Sequence, residues 1–231
     1  IAISGGSNIN IQYPRVIGTW GDGICVAPYN GKPASNVTIH KAWITKAGRN
    51  GITITSGKNI TVSDAKIEYS DRLNPMAGID IEPNGTTDEL QGIKIINPVT
   101  IKNGWSGVQI GLSQFYYDQK NTRKNISIEV INHTDEGSAV NGAWLSTAGK
   151  GREGYDLAGN VVSGTLKYIN PTWKGNDVAL KASTLKEPAI TFTLENPTVI
   201  NKSGATLTKT QLESLFRKNI GKVTKNIFYK K

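Results

Sequence analysis

The chain of 231 residues reads as an all-β protein: a right-handed parallel β-helix with a short C-terminal helix. Three observations predict this. A degenerate unit returns at a nearly fixed period, its strands are short and alternate apolar with polar residues, and helical periodicity is almost absent before the last thirty or so residues. The unit runs Asn-(Ile/Val)-x-(Ile/Val), then a β-branched stretch, then Gly-(Ile/Val)-x-(Ile/Val). Its first half is found at Asn8–Ile11, Asn36–Ile39, Asn59–Val62, Gly92–Ile95 and Asn125–Ile128. Its second half is found at Gly23–Val26, Gly51–Ile54, Gly78–Ile81, Gly107–Ile110 and, more loosely, Gly142–Leu145. The glycines of the second half follow one another at 28, 27, 29 and 35 residues. A sandwich or barrel gives no reason for one turn signature to recur at that period, whereas a coil repeats its geometry every rung.

Alternation then assigns the faces. Ile24/Val26, Ile52/Ile54, Ile79/Ile81 and Val108/Ile110 point inward as stacked ladders, and the residues between them point out. Six Asn-x-(Ser/Thr) sequons occur, at Asn36, Asn59, Asn84, Asn125, Asn132 and Asn201. Three of these are the Asn that opens a rung, so they read as turn residues rather than glycosylation sites. One domain is expected over 1–231, with regular rungs over 1–112 and less regular rungs, loops and a helix over 113–231. Loops are expected at Gln114–Arg123 and Gly149–Gly159, and strands at Val161–Ile169, Ala189–Leu194 and Thr198–Ile200. The spacing Thr210-x-x-Glu213 predicts a capping box opening an amphipathic helix with Leu212, Leu215, Phe216 and Ile220 on its apolar stripe, which covers the coil.

Composition excludes several classes. No apolar run approaches the length of a membrane span. No basic-then-apolar leader opens the chain, and Ile1 already stands in strand-like sequence, so the chain reads as part of a longer one. The single cysteine, Cys25, forbids an internal disulfide framework and reads as a small apolar residue. The net charge of +9 is concentrated at the C-terminus: Lys209–Lys231 holds seven Lys/Arg against Glu213 alone, a net of +6. Between Arg15 and Leu90 the balance is zero, eight of each sign, so a nucleic-acid groove is not expected. Two separated histidines, His40 and His133, support neither a metal site nor a Ser-His-Asp triad, and no phosphate-binding glycine motif exists. No cofactor is expected.

Chemistry is left to carboxylates on the outward face. Asp80 and Glu82 share one strand face, with bases about 6–7 Å apart. Asp22 stands two rungs away, roughly 10 Å, with Arg49 and Asn50 on the rung between. Two carboxyls at such separations suit glycoside hydrolysis, one delivering a proton and the other acting as base or nucleophile. Arg49 can clamp an acidic sugar or lower a neighbouring carboxyl's pKa. Trp20 and Trp105 flank the same turns and can stack on sugars; with Arg49, Asn50, Asn84 and Gln109 they are the expected substrate-binding residues. Trp43 and Trp144 read as packing residues.

The segments Trp20-Gly21-Asp22-Gly23-Ile24, Gly48-Arg49-Asn50-Gly51-Ile52-Thr53-Ile54 and Ala77-Gly78-Ile79-Asp80-Ile81-Glu82-Pro83-Asn84 resemble, in order and spacing, the pectate-lyase-like β-helix proteins. More narrowly, they resemble tailspike capsule depolymerases of bacteriophages of Gram-negative bacteria such as Acinetobacter. The match covers Trp20 to Leu112, and Asn50 stands where that family usually has glutamine. The resemblance implies that Asp22, Arg49, Asp80 and Glu82 are motif residues and that the substrate is a bacterial surface polysaccharide. It also implies a homotrimer on the virion, joined to the phage tail by an N-terminal segment that this chain lacks. The leading expectation is endo-glycoside hydrolysis with Asp80 and Glu82 as the pair and Asp22 in reserve. The alternatives are a polysaccharide lyase or uronate epimerase, and a non-catalytic binding fibre or adhesin; a secreted bacterial protein is the alternative location.

Overall fold

A computed structural model describes residues 1–116, 122–146, 161–183, 190–219 and 227–230. Within them the chain winds as a parallel β-helix. Each rung contributes one strand to each of three parallel sheets, of seven, eight and seven strands. The first sheet, here sheet A, stacks Ala2–Ser4, Ile24–Ala27, Ile52–Ile54, Ile79–Ile81, Ser106–Gly111, Asn141–Ser146 and Val178–Ser183. Sheet B carries the longer strands, such as Ala34–His40 and Val161–Ile169, and sheet C the three-residue strands, such as Trp43–Thr45 and Thr134–Glu136.

The predicted inward ladders are the core. Ile24, Ile52, Ile79 and Val108 are in register, as are Val26, Ile54, Ile81 and Ile110, and all are fully buried. β-Branched side chains suit this stacking, because one χ1 well fits every rung. The recurring glycine has a steric cause. A Cβ on Gly51 would lie 2.2 Å from Ile67 Cγ2 and 2.6 Å from Gly78 O. The chain therefore enters sheet A so close to its neighbours that no side chain fits, and the signature repeats because the corner repeats.

Asparagine governs the corner from sheet B to sheet C. Asp64, Asn97, Asn132, Asn170 and Asn196 occupy it on successive rungs, all with φ between 46° and 55°. Each Asn Nδ2 donates to the side-chain oxygen one rung earlier, at 2.9, 2.9, 3.0 and 3.1 Å in turn. A second, shorter ladder joins Asn59 to Asn36 and Asn36 to Asn8, both at 3.1 Å. Asn36 and Asn59, with φ of 51° and 54°, are thus left-handed residues inside strands of sheet B, and Asn132, at 54°, is a corner residue. Replacing Asn132 by Ala is expected to cost about 2–4 kcal/mol, from a left-handed non-glycine residue and two lost hydrogen bonds. Asn132→Gly removes the backbone part only and should cost less; urea unfolding of both variants checks the order.

Some expectations shift. Ile93 pairs with Ile128, so the fifth first-half unit is Ser127–Val130 rather than Asn125–Ile128. A slip of two keeps every side chain on its face, which is why alternation did not reveal it. The strands at Val161–Ile169 and Thr198–Ile200 stand as expected, and the third runs Ile190–Glu195. Of the loop expected at Gln114–Arg123, the start lies in a 3-10 turn, Ser113–Tyr116, Arg123 already opens a strand, and residues 117–121 lie outside the described residues. The remaining predicted loop, Gly149–Gly159, and Ile220 lie outside the described residues. The helix spans Lys209–Asn219, and its capping box is Thr208-x-x-Gln211, not Thr210-x-x-Glu213. Gln211 Oε1 accepts from Thr208 N at 2.8 Å, and Thr208 Oγ1 accepts from Gln211 N at 3.4 Å. Leu212 and Phe216 are buried, and Phe216 meets the Trp173 ring edge-on at 6.4 Å, so the helix does cover the coil.

One part of the interior is polar. The inward ladder of sheet C reads Val16, Ile44, Ile67, Thr100, Asp135, Trp173, Val199. Thr100 and Asp135 interrupt it and are fully buried with His133. Thr100 Oγ1 donates to Asp135 Oδ1 at 2.6 Å and stands 2.7 Å from His133 Nε2, while Tyr168 Oη stands 2.9 Å from His133 Nδ1. Since the threonine proton goes to Asp135, Nε2 must carry the histidine proton and Nδ1 accepts from Tyr168. Burial drives His133 down to about 3, consistent with a neutral ring.

Candidate functional site

Asp80 lies at the centre of sheet A on the outward row. That row reads Ala2, Cys25, Thr53, Asp80, Gln109, Trp144, Lys181. The outward direction was predicted, but the burial was not: Asp80 is 1% exposed, Thr53 2% and Gln109 3%. The row emerges towards its ends, where Cys25 and Trp144 are half-buried and Lys181 is exposed.

Turns from sheet C into sheet A bring in the rest. Trp20, Asp22 and Asn50 sit at these corners because Gly48 lets two of them touch. A Cβ on Gly48 would lie 2.0 Å from Trp20 O. Asp22 accepts from Asn50 N at 3.1 Å through Oδ1 and forms an ion pair with Arg49 Nη1 at 3.3 Å through Oδ2. The Arg49 Nε donates to Asn74 O at 3.3 Å. Asn50 is fully buried and bridges the cluster. Its Nδ2 donates to Asp80 Oδ2 at 3.0 Å and to Thr53 Oγ1 at 3.1 Å, while its Oδ1 accepts from Ala77 N at 2.9 Å. Asp22, Arg49, Asn50 and Asp80 are therefore one connected network, as their spacing anticipated. Asn50, one of the expected substrate contacts, is taken up by these three bonds, and no part of it reaches solvent.

Glu82 stands one outward position beyond Asp80 and is half-buried. Its side chain lies over Gly111 on the next rung, where a Cβ would stand 3.2 Å from Glu82 Oε1. Burial pushes Asp80 up to about 8, the Glu82 charge pushes the same way, and Arg49 opposes them. Glu82 is also raised by burial, again opposed by Arg49. Asp80 therefore keeps its proton at neutral pH, beside a second carboxyl. That is the condition for a general acid with a partner base.

The flanking residues divide. Trp20 is 81% exposed, and the Arg72 guanidinium lies 5.6 Å from its ring centre. Trp105 is 37% exposed on the fourth such corner. Asn84 is exposed, and its backbone N–H donates to Asp88 Oδ2 at 2.7 Å, which fixes the loop after Glu82. Gln109, another expected substrate contact, is 3% exposed, almost as covered as Asp80 itself. Trp43 is a packing residue as expected: Arg15 lies 4.4 Å above its ring, and its Nε1 donates to Glu68 Oε1 at 2.9 Å. Trp144 is the residue that sequence reasoning missed. It is half-buried on the row of Asp80, two rungs on, and the Gly-x-x frame extended to Gly142 would have placed it there. Among the described residues no group of His, Cys, Asp or Glu could hold a metal ion.

Fold and site together define a parallel β-helix bearing a buried carboxyl network on its outward sheet. Comparison of the chain with protein-family models, with curated proteins and with solved structures returns no match.

Proposed function

We propose that this protein depolymerises a bacterial surface polysaccharide by hydrolysing glycosidic bonds within the chain. The observation that carries the reading is the Asp80–Glu82 pair, two carboxyls on the same strand face, both pushed up by burial, Asp80 to about 8. Asp80 supplies the proton to the leaving oxygen, and Glu82 acts at the anomeric centre, directly or through water. Arg49, half-exposed and held by Asp22, faces the acidic groups of a polymer. The motif resemblance extends the reading to a homotrimer on a phage tail.

The test is size-exclusion chromatography of purified capsules before and after incubation, with ultraviolet absorbance recorded. A fall in polymer size without new absorbance supports hydrolysis. A fall with absorbance from a new double bond moves the reading to a lyase. Binding with no change in size on capsules of the protein's own host replaces both with a binding fibre. Within the hydrolytic reading, Trp144→Ala is expected to raise KM by roughly five- to thirtyfold, the loss of ~1–2 kcal/mol of ring stacking, and to leave kcat unchanged. Initial rates across a range of polymer concentration check the split.

A further inference from the structure

Two buried oxygens on the outward row have no hydrogen-bond partner: Asp80 Oδ1 and Gln109 Oε1. They belong to residues directly paired across adjacent strands, about 4.8 Å apart along the coil. Side chains stacked in this way point in the same direction, and both residues are almost wholly buried, Asp80 at 1% and Gln109 at 3% exposure. Buried polar atoms are nearly always bonded, so two orphans side by side require one explanation. If Asp80 were ionised, both atoms would be acceptors with no proton between them. A carboxylic acid has one proton to place. Asp80 Oδ2 already accepts from Asn50 Nδ2 at 3.0 Å, which leaves Oδ1 as the oxygen that carries the hydrogen.

We propose that Asp80 is a neutral acid whose Oδ1–H donates to Gln109 Oε1, so that Gln109 is a positioning residue that holds and aims the proton. Thr53, the neighbour of Asp80 on the preceding rung, accepts from Asn50 Nδ2 at 3.1 Å and makes no bond to Oδ1. Asn50 reaches it from the corner of the preceding rung, Arg49 and Asp22 neutralise each other beside it, and Glu82 lies further along its own strand. None of these offers an acceptor bonded to Oδ1. The alternative is a Gln109 amide turned the other way, with Nε2 donating to an ionised Asp80; the two arrangements differ by one proton and one amide flip. The hydrogen bond stands without the catalytic reading, whereas its value as a proton reservoir for a leaving group rests on that reading.

Infrared difference spectroscopy at pH 7 separates the two. Wild type minus Asp80→Asn should show the C=O stretch of one protonated carboxylic acid. In Gln109→Met, close in volume but without the amide acceptor, that band should move to higher frequency, because a carboxylic acid that loses its acceptor has a stiffer C=O. No protonated-acid band in the first comparison, or a band that Gln109→Met leaves in place, overturns the proposal. The spectra need no substrate, so a chain that cleaves no polymer still decides the question. On an active enzyme, the alkaline limb of the pH–rate profile should also move to lower pH in Gln109→Met, which a purely structural glutamine would not cause.

Discussion

Asp80→Asn is expected to abolish cleavage and to stabilise the protein at the same time. As general acid, its loss should cost on the order of 10²–10⁴ in kcat. The stability effect follows from its raised pKa, about 8 against an ordinary value of 3.8. A carboxyl raised on folding contributes most below its unfolded pKa and loses that contribution as pH climbs towards the folded value. The native state holds the proton between pH 4 and 8 while the unfolded chain gives it up, so the Asp80 contribution to stability falls across that window. An asparagine cannot ionise, and it still offers Asn50 an oxygen to bond. The advantage of the variant should be near zero at pH 4 and should grow to a few kcal/mol at pH 8, at about 1.4 kcal/mol per pKa unit as an upper limit. Paired thermal melts at the two pH values measure it. A variant less stable than wild type at pH 8 would contradict the assignment of a buried neutral acid. Gain of stability with loss of activity marks a site retained for chemistry rather than for folding.

The second large effect belongs to the polar interior. Asp135 accepts from Thr100 Oγ1 and Ser138 Oγ at 2.6 Å each, from Ser138 N at 3.1 Å and from Asn176 Nδ2 at 2.6 Å. Asp135→Ala leaves these buried donors without an acceptor, and each such orphan costs about 1–3 kcal/mol. A loss of roughly 4 kcal/mol or more is expected, enough to unfold a marginal domain. His133 adds a pH dependence of the opposite sign to that of Asp80. Its folded pKa, about 3, lies below the ordinary value of 6.5, so its contribution is complete above pH 6.5 and is lost as pH falls towards 3. In wild type the two contributions oppose each other, so the difference between variants isolates His133. His133→Asn, less stable than wild type at pH 7, should close that gap in paired thermal melts as pH falls from 7 to 4.

These interior groups make contacts that residue spacing did not foresee. Thr100, His133 and Asp135 come within hydrogen-bond distance although a hydroxyl–histidine–carboxylate arrangement was not expected. The contact is no triad, because the threonine proton goes to the carboxylate rather than to the imidazole, and all three are sealed in the coil. A polar residue at an inward position reads as a break in alternation, and only the three-dimensional stack reveals that Thr100 and Asp135 are neighbours on successive rungs. Asp22 and Asn50 were legible for the reverse reason. They flank the glycines that set the period, so their rung-to-rung relation was fixed by counting.

Residue spacing alone placed the coil, its inward ladders, its glycine corners and the outward row of Cys25, Thr53, Asp80 and Gln109. Periods of two within a strand and about 28 between rungs are local regularities, and a repeating coil turns them directly into neighbours in space. Burial and protonation were decided only by the tertiary structure. An outward position is exposed or covered according to which corners and loops lie beside it, and those spans carry no period. Asp80 thus reads as an ordinary outward carboxylate along the strand, and becomes a buried acid only when Asn50, Arg49 and Glu82 close around it and remove the water that would ionise it.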